Sequence, residues 1–167
     1  MKRDYKYLLD GSFHAGSRVW VYQASRLFTL SEALDIEVML KYFAEEWKSH
    51  GAKVKGAGYL FFGQFIILMA DEQATGVSGC STDSSVRLIK EIEQKFGVSL
   101  FDRTTLAFIV NEKIQLIPLT QFNYSIENGF ITADTLYFNN LVQTKQELEE
   151  NWIIPVKESW LARKIPV

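Results

Sequence analysis

The only cysteine, Cys80, stands in the run Ser78-Gly79-Cys80-Ser81-Thr82-Asp83, among small polar residues. An apolar run at 65–70 precedes it and an amphipathic run at 86–96 follows. A thiol at a helix N-terminus has its pKa lowered by the helix dipole and free amides, and the thiolate is the nucleophilic form. Such a nucleophile needs a base, and His14 and His50 are the two histidines. His50, at the end of the first predicted helix, is the candidate partner. Asp83 opposes thiolate formation, and a small buried side chain in a tight turn is the competing reading of Cys80. The same run suits an anion. Ser78, Ser81 and Thr82 bring hydroxyls, Gly79 permits close backbone approach, and helix amides point outward. Asp83 or Ser84 acting only as a helix cap is the alternative. Gln23, Ser25 and Arg26, at the end of the first predicted strand, extend the site, with Arg26 able to clamp a carboxylate or phosphate. An ordinary surface ion pair is the alternative for Arg26.

Other polar groups fit chemistry less well. Asp71 and Glu72 are adjacent on a strand and point to opposite faces. Asp102 and Arg103 read as a local ion pair or turn. Two separated histidines and one cysteine lack metal-ligand spacing, so neither metal nor cofactor is expected. One cysteine also excludes an internal disulfide.

The elements that must position these groups are legible in the 167 residues. Residues 18–23 alternate as a strand with apolar side chains on both faces. Thr29 and Glu32 have capping-box spacing and open a helix to about residue 49, with Ile36, Leu40, Phe43 and Trp47 on one stripe. His50-Gly51 reads as its end. Residues 54–62 and 65–70 read as a hairpin through Gly63-Gln64, a type II′ turn, with Gly56 and Gly58 weakening its first strand or marking a bulge. The helix at 86–96 stops at Gly97, and 104–110 and 113–117 form a second hairpin through Asn111-Glu112. Further on come a short helix at 121–129, an edge strand at 135–138 and a helix capped by Thr144. Trp152 and Trp160 pin the tail or face a partner. The order β-α-β-β-α-β predicts an α+β, ferredoxin-like core at about 17–118, with a C-terminal extension at about 119–167 of the same single domain.

Composition narrows the function classes. Hydrophobic residues make up 47% and charged residues 23%, values of a globular domain, and aromatics reach 14%. A net charge of −2 gives no case for nucleic acid. The longest apolar run is far short of the ~20 residues that span a bilayer. The first seven residues hold no long apolar segment, so no signal peptide is expected and the location is read as cytoplasmic.

Four runs carry a resemblance to a known family: Arg18-Val19-Trp20-Val21-Tyr22-Gln23-Ala24-Ser25-Arg26, Trp47-Lys48-Ser49-His50-Gly51, Ser78-Gly79-Cys80-Ser81-Thr82-Asp83 and Phe138-Asn139-Asn140-Leu141-Val142. Together they resemble small uncharacterised bacterial proteins, some labelled "ABC transporter ATPase". The likeness spans most of the chain and implies no particular activity. The label fails a physical test: an ABC ATPase needs G-x-x-x-x-G-K-[ST] to hold nucleotide phosphates, and no Gly-Lys-Ser or Gly-Lys-Thr occurs. Three functions follow as expectations. The first is a non-catalytic domain binding a small anion or a partner protein through Ser78 to Asp83 with Arg26 and Gln23. The second is a thiol enzyme or redox sensor on Cys80. The third is an assembly protein docking through its aromatic tail. A ferredoxin-like sheet with one open face would also permit a homodimer.

Overall fold

A computed structural model of the chain describes residues 1, 3–73 and 79–166, with the backbone alone at 79–81. In chain order, β1 (Arg18–Gln23) and α1 (Leu30–Glu46) are followed by the short strands β2 (Lys48–Ser49) and β3 (Ala52–Lys53). Next come β4 (Gly56–Phe61), β5 (Phe65–Ala70), α2 (Gly79–Phe96), β6 (Thr105–Val110) and β7 (Lys113–Pro118). The chain ends with α3 (Phe122–Glu127), β8 (Leu136–Phe138), α4 (Lys145–Asn151) and β9 (Ile153–Pro155).

The first sheet has the order β1-β5-β4, antiparallel throughout. Every residue of β5 is buried, as the central strand of a sheet covered on both faces requires. On one face Tyr22, Ile66 and Leu68 pack with Ile36 and Leu40 of α1 and with Leu88, Ile89 and Ile92 of α2. On the other, Val19, Val21, Phe65, Ile67 and Met69 pack with Phe138, Val142, Leu148 and Trp152. The C-terminal extension therefore shares a hydrophobic core with residues 5–69, and it covers the sheet face that a ferredoxin-like dimer would use.

This order matches the first three strands of a ferredoxin-like sheet, but the fourth is displaced. β6 would flank the outer edge of β1 in that topology. Instead it lies inside a second antiparallel sheet of order β7-β6-β8-β9, so the α+β class holds and the four-stranded ferredoxin-like sheet does not form. The physical reason is that β6 is apolar on both faces and needs cover on both. Leu106 and Phe108 pack with Phe122, Tyr137, Val156 and Leu161, while Ala107 faces the core shared with the first sheet. The strand expected at 135–138 is not an edge: β8 sits between β6 and β9.

Local chemistry sets several boundaries. At α1 both capping-box bonds form: Glu32 N donates to Thr29 Oγ1 at 3.2 Å, and Thr29 N to Glu32 Oε1 at 2.9 Å. At α4, Glu147 N donates to Thr144 Oγ1 at 3.1 Å. α1 ends at Glu46 rather than near residue 49. His50 (φ 51°) and Gly51 (φ 80°) are both left-handed, as a two-residue turn between twisted antiparallel strands demands, and they join β2 to β3. Between β4 and β5 the turn centres on Phe62 (φ 57°) and Gly63 (φ 63°), with Gln64 N donating to Phe61 O at 3.1 Å. This is one residue earlier than the type II′ turn expected. Left-handed φ is costly for a bulky residue, and the Phe62 ring is held by Tyr5, Phe65, Phe138 and Trp152, with centroids 5.7–6.4 Å away.

Candidate functional site

The stretch first expected to be a turn is largely helix. α2 begins at Gly79, seven residues before Val86, so Cys80, Ser81, Thr82 and Asp83 lie in its opening turns. Neither Asp83 nor Ser84 is the cap before the helix. Ser78 and the side chains of Cys80 and Ser81 lie outside the described residues, and with them the expected Cys80–His50 pairing. Thr82 O accepts from Ser85 Oγ at 2.6 Å, and Asp83 is exposed. His50 is exposed in the β2–β3 turn. Among the described residues no group of three or more His, Cys, Asp or Glu side chains could hold a metal.

Arg26 lies at the other end of α2. Its Nη2 donates to Phe96 O, the last residue of the helix, at 2.7 Å. Eighteen helical residues span roughly 27 Å, so Arg26 and residues 79–83 do not share a site. The guanidinium is also occupied: it holds Glu32 through two bonds of 2.8 and 2.9 Å and donates to Leu27 O at 3.0 Å. Arg26 ties the end of α2 to the start of α1. The Arg26 bonds, followed by the Thr29 amide, hold the Glu32 carboxyl at about 2, below its ordinary 4.5. A depressed folded-state pKa confers stability above the ordinary value and loses it as pH falls through the depressed one. Replacing Glu32 with Gln should therefore lower Tm at neutral pH. The difference should shrink between about pH 4.5 and 2 in thermal melts of the two proteins followed by circular dichroism.

Gln23 is buried and occupied as well. Its Nε2 donates to Thr105 O at 3.0 Å, and its Oε1 accepts from Asn140 Nδ2 at 2.9 Å. Asn140 Oδ1 accepts from Trp152 Nε1 at 2.9 Å. Each polar atom of this chain has a partner, as a buried amide network requires. Gln23 thereby fastens β1 to the second sheet. Residues of the runs 18–26 and 138–142 meet at this seam.

Along the seam the outer edge of β1 stands apart from its neighbours. Val19 N donates to Gln143 O at 3.0 Å, which sets the ladder: residues 19, 21 and 23 direct their amides and carbonyls away from β5. Two adjoining cavities, of about 110 and 220 Å³, open there, and Val21, Arg103, Asn140 and Leu141 line both. The Asp102 carboxylate is turned into its own loop. It accepts from Thr104 N, Thr104 Oγ1 and Thr105 Oγ1 at 2.7–2.8 Å, which hold its pKa down. Of the two readings of Asp102-Arg103, the turn holds, closed by Thr104 N on Asp102 Oδ1, and the ion pair does not form.

A feature missed in the sequence lies on α1. Leu30, Leu34, Val38 and Tyr42 recur every fourth residue and are 78, 57, 70 and 68% exposed. Side chains four apart stand one above another on a helix, so these form a continuous apolar row pointing away from the core. Leu27 adds to its N-terminal end at 58%. Tyr42 also borders a cavity of about 580 Å³ between α1 and α2, walled by Met39, Phe43, Trp47 and Leu88. Asp35, Glu37, Lys41, Glu45 and Glu46 are the exposed charges of α1. The row was readable as a second i, i+4 series beside the Ile36–Leu40 stripe, and the deeper stripe masked it. Trp152 and Trp160, by contrast, are turned inward. Trp152 is fully buried and Trp160 donates to Tyr137 Oη at 3.1 Å.

Comparison with protein-family models, with curated proteins and with solved structures finds no match. No helix among the described residues is long and apolar enough to cross a membrane.

Proposed function

We propose that this chain is a non-catalytic protein-interaction domain that receives a cationic amphipathic helix of a partner on the exposed row of α1. The observation that carries the reading is the four-residue apolar row itself. Single exposed hydrophobics are ordinary, whereas a contiguous apolar patch of several hundred Å² marks an interaction surface. The chemistry of the partner follows from the charges that flank the row. On α1 itself four carboxylates (Asp35, Glu37, Glu45, Glu46) stand against one ammonium (Lys41), while Lys48, Arg87 and Glu91 border the cavity beside Tyr42. Two copies of this face would bring like charges together, and anionic lipid would meet the same carboxylates. A helix with leucine-type anchors at i, i+4 and Lys or Arg on its flanks satisfies both the apolar row and the acidic rim.

The test uses two fluorescent 18-residue helical peptides with identical leucine faces, one flanked by lysines and one by glutamates. Anisotropy titrations should show saturable binding of the lysine peptide and at least about tenfold weaker binding of the glutamate peptide. Leu34→Asp is the decisive variant. It removes an apolar anchor while adding a negative charge, so docking on the row predicts loss of binding, whereas general charge attraction predicts equal or tighter binding. Retained binding by Leu34→Asp overturns the reading. So does concentration-dependent dimerisation of the chain alone in sedimentation velocity that this substitution abolishes, or recruitment to phosphatidylserine vesicles through the same residue.

A further inference from the structure

We infer that the slot between β1 and residues 140–143 is a binding site for a small carboxylate with an apolar body. The slot is closed at both ends. At one end Val19 N bonds Gln143 O, and at the other the Gln23 side chain bonds Thr105 O and Asn140. Four residue steps of extended chain, from Val19 to Gln23, separate those closures, roughly 13 Å, so the opening is too short for an added strand and suits a small molecule. Val21 is buried at its floor, and its amide and carbonyl face the slot with no bonding partner among the described residues. A buried backbone amide is an obligatory donor.

The second donor is Arg103. It lines both cavities, and among the described residues it makes no hydrogen bond or ion pair. The contrast with its neighbours is informative, because Arg26 is fully engaged and Arg18 pairs with Glu72 at 3.3 Å. Asp102 also lines the smaller cavity, where its carboxylate is tied to Thr104 and Thr105 and leaves Arg103 unpaired. A carboxylate placed between the Val21 amide and the Arg103 fork accepts from both, one charge-assisted and one from the main chain. The remaining walls include Leu100, Leu106, Leu141 and Phe138, which fit an apolar body better than the bare sphere of an inorganic oxoanion. The slot is on the β1 edge of the first sheet, while α1 packs on β4 at the other edge, so this site stands or falls independently of docking on α1.

The test is an amide NMR titration of the full chain with benzoate, acetate and inorganic phosphate. Benzoate should move the Val21 amide and the Arg103 Nε–H saturably, acetate more weakly, and phosphate least. Arg103→Gln, at an exposed position that leaves the fold intact, should weaken benzoate at least about tenfold, the loss expected for a charged hydrogen-bonding partner. The inference is overturned if the Val21 amide does not respond, if shifts scatter over the cationic surface, if Arg103→Gln binds benzoate as the parent does, or if phosphate binds as well as benzoate.

Discussion

Replacing Trp152 with alanine should cost about 4–5 kcal/mol of folding stability, at the upper end of large-to-small core changes. The indole is fully buried. Rings of Tyr5, Phe61, Phe62, Phe65 and Phe138 surround it, with centroids 5.0–6.1 Å away. Those partners come from the N-terminal segment, from β4, β5 and their turn, and from β8, so one side chain joins parts of the chain far apart in sequence. The polar edge adds to the apolar loss. Trp152 Nε1 is the donor to Asn140 Oδ1, and Asn140 in turn bonds Gln23. Truncation also removes the donor of the half-buried Asn140 amide oxygen, a loss of about 1 kcal/mol. Trp152→Phe keeps most of the ring contact and loses only this bond, so it should recover more than half of the stability. Urea denaturation of the three proteins measures the series. If Trp152→Ala cost less than about 1.5 kcal/mol, the extension would be a loosely attached appendage and not part of the core.

How far the sequence carried depends on the range over which each feature is decided. The Thr29–Glu32 capping box, the alternation of Val19 and Val21 against Trp20 and Tyr22, the all-buried strand at 65–70 and the Asn111-Glu112 turn are local, and they appear as read; of the capping box expected at Thr144–Glu147 only the bond from Glu147 N forms, Glu147 Oε2 accepting from Gln143 N instead. The partner of β6 is not local. Leu106 and Phe108 show that the strand is buried, but the choice between β1 and β8 rests on Tyr137 and Ile154, which close the second sheet from 29 and 46 residues beyond Phe108. The Ser78-to-Asp83 reading took small polar residues for a turn. Serine and threonine are weak helix formers, yet the apolar face of α2 behind them carries the helix back to Gly79. Arg26 and Gln23 read as ligand-binding candidates, with a surface ion pair as the alternative for Arg26, and the partners that occupy them, Phe96, Thr105 and Asn140, are between 70 and 117 residues away. Arg103 reads in the sequence as part of a local ion pair or turn. Only the three threonine bonds to Asp102 reveal that the acid is already committed and the cation is not.

Gly56→Val should destabilise the chain by about 3 kcal/mol through overpacking, and the reason is the seat of α1. The two glycines of β4 mark no bulge: β4 pairs with β5 without a break from Gly56↔Ala70 to Phe61↔Phe65. They admit the helix. A Cβ on Gly56 would lie 2.5 Å from Trp47 Cε3 and 3.0 Å from Cζ3, and one on Gly58 would lie 3.0 Å from Leu40 Cβ. The Trp47 ring is buried, with Phe43 at 4.9 Å and Trp20 at 5.9 Å, so moving it off Gly56 toward the cavity between α1 and α2 gives up that packing. A β-branched residue would gain strand propensity of at most about 1 kcal/mol, which does not offset the clash. Relief would require α1 to lift off the sheet, which would move the exposed row that Leu34 and Val38 present. Gly11→Ala is the control: nothing lies within 4 Å of its added Cβ, and its Tm should be almost unchanged. A double-mutant cycle assigns the cause. If the ring is the obstacle, Gly56→Val in a Trp47→Leu background should cost at least about 1 kcal/mol less than in the parent. Equal costs in the two backgrounds would place the strain in the β4 backbone and not beneath the helix.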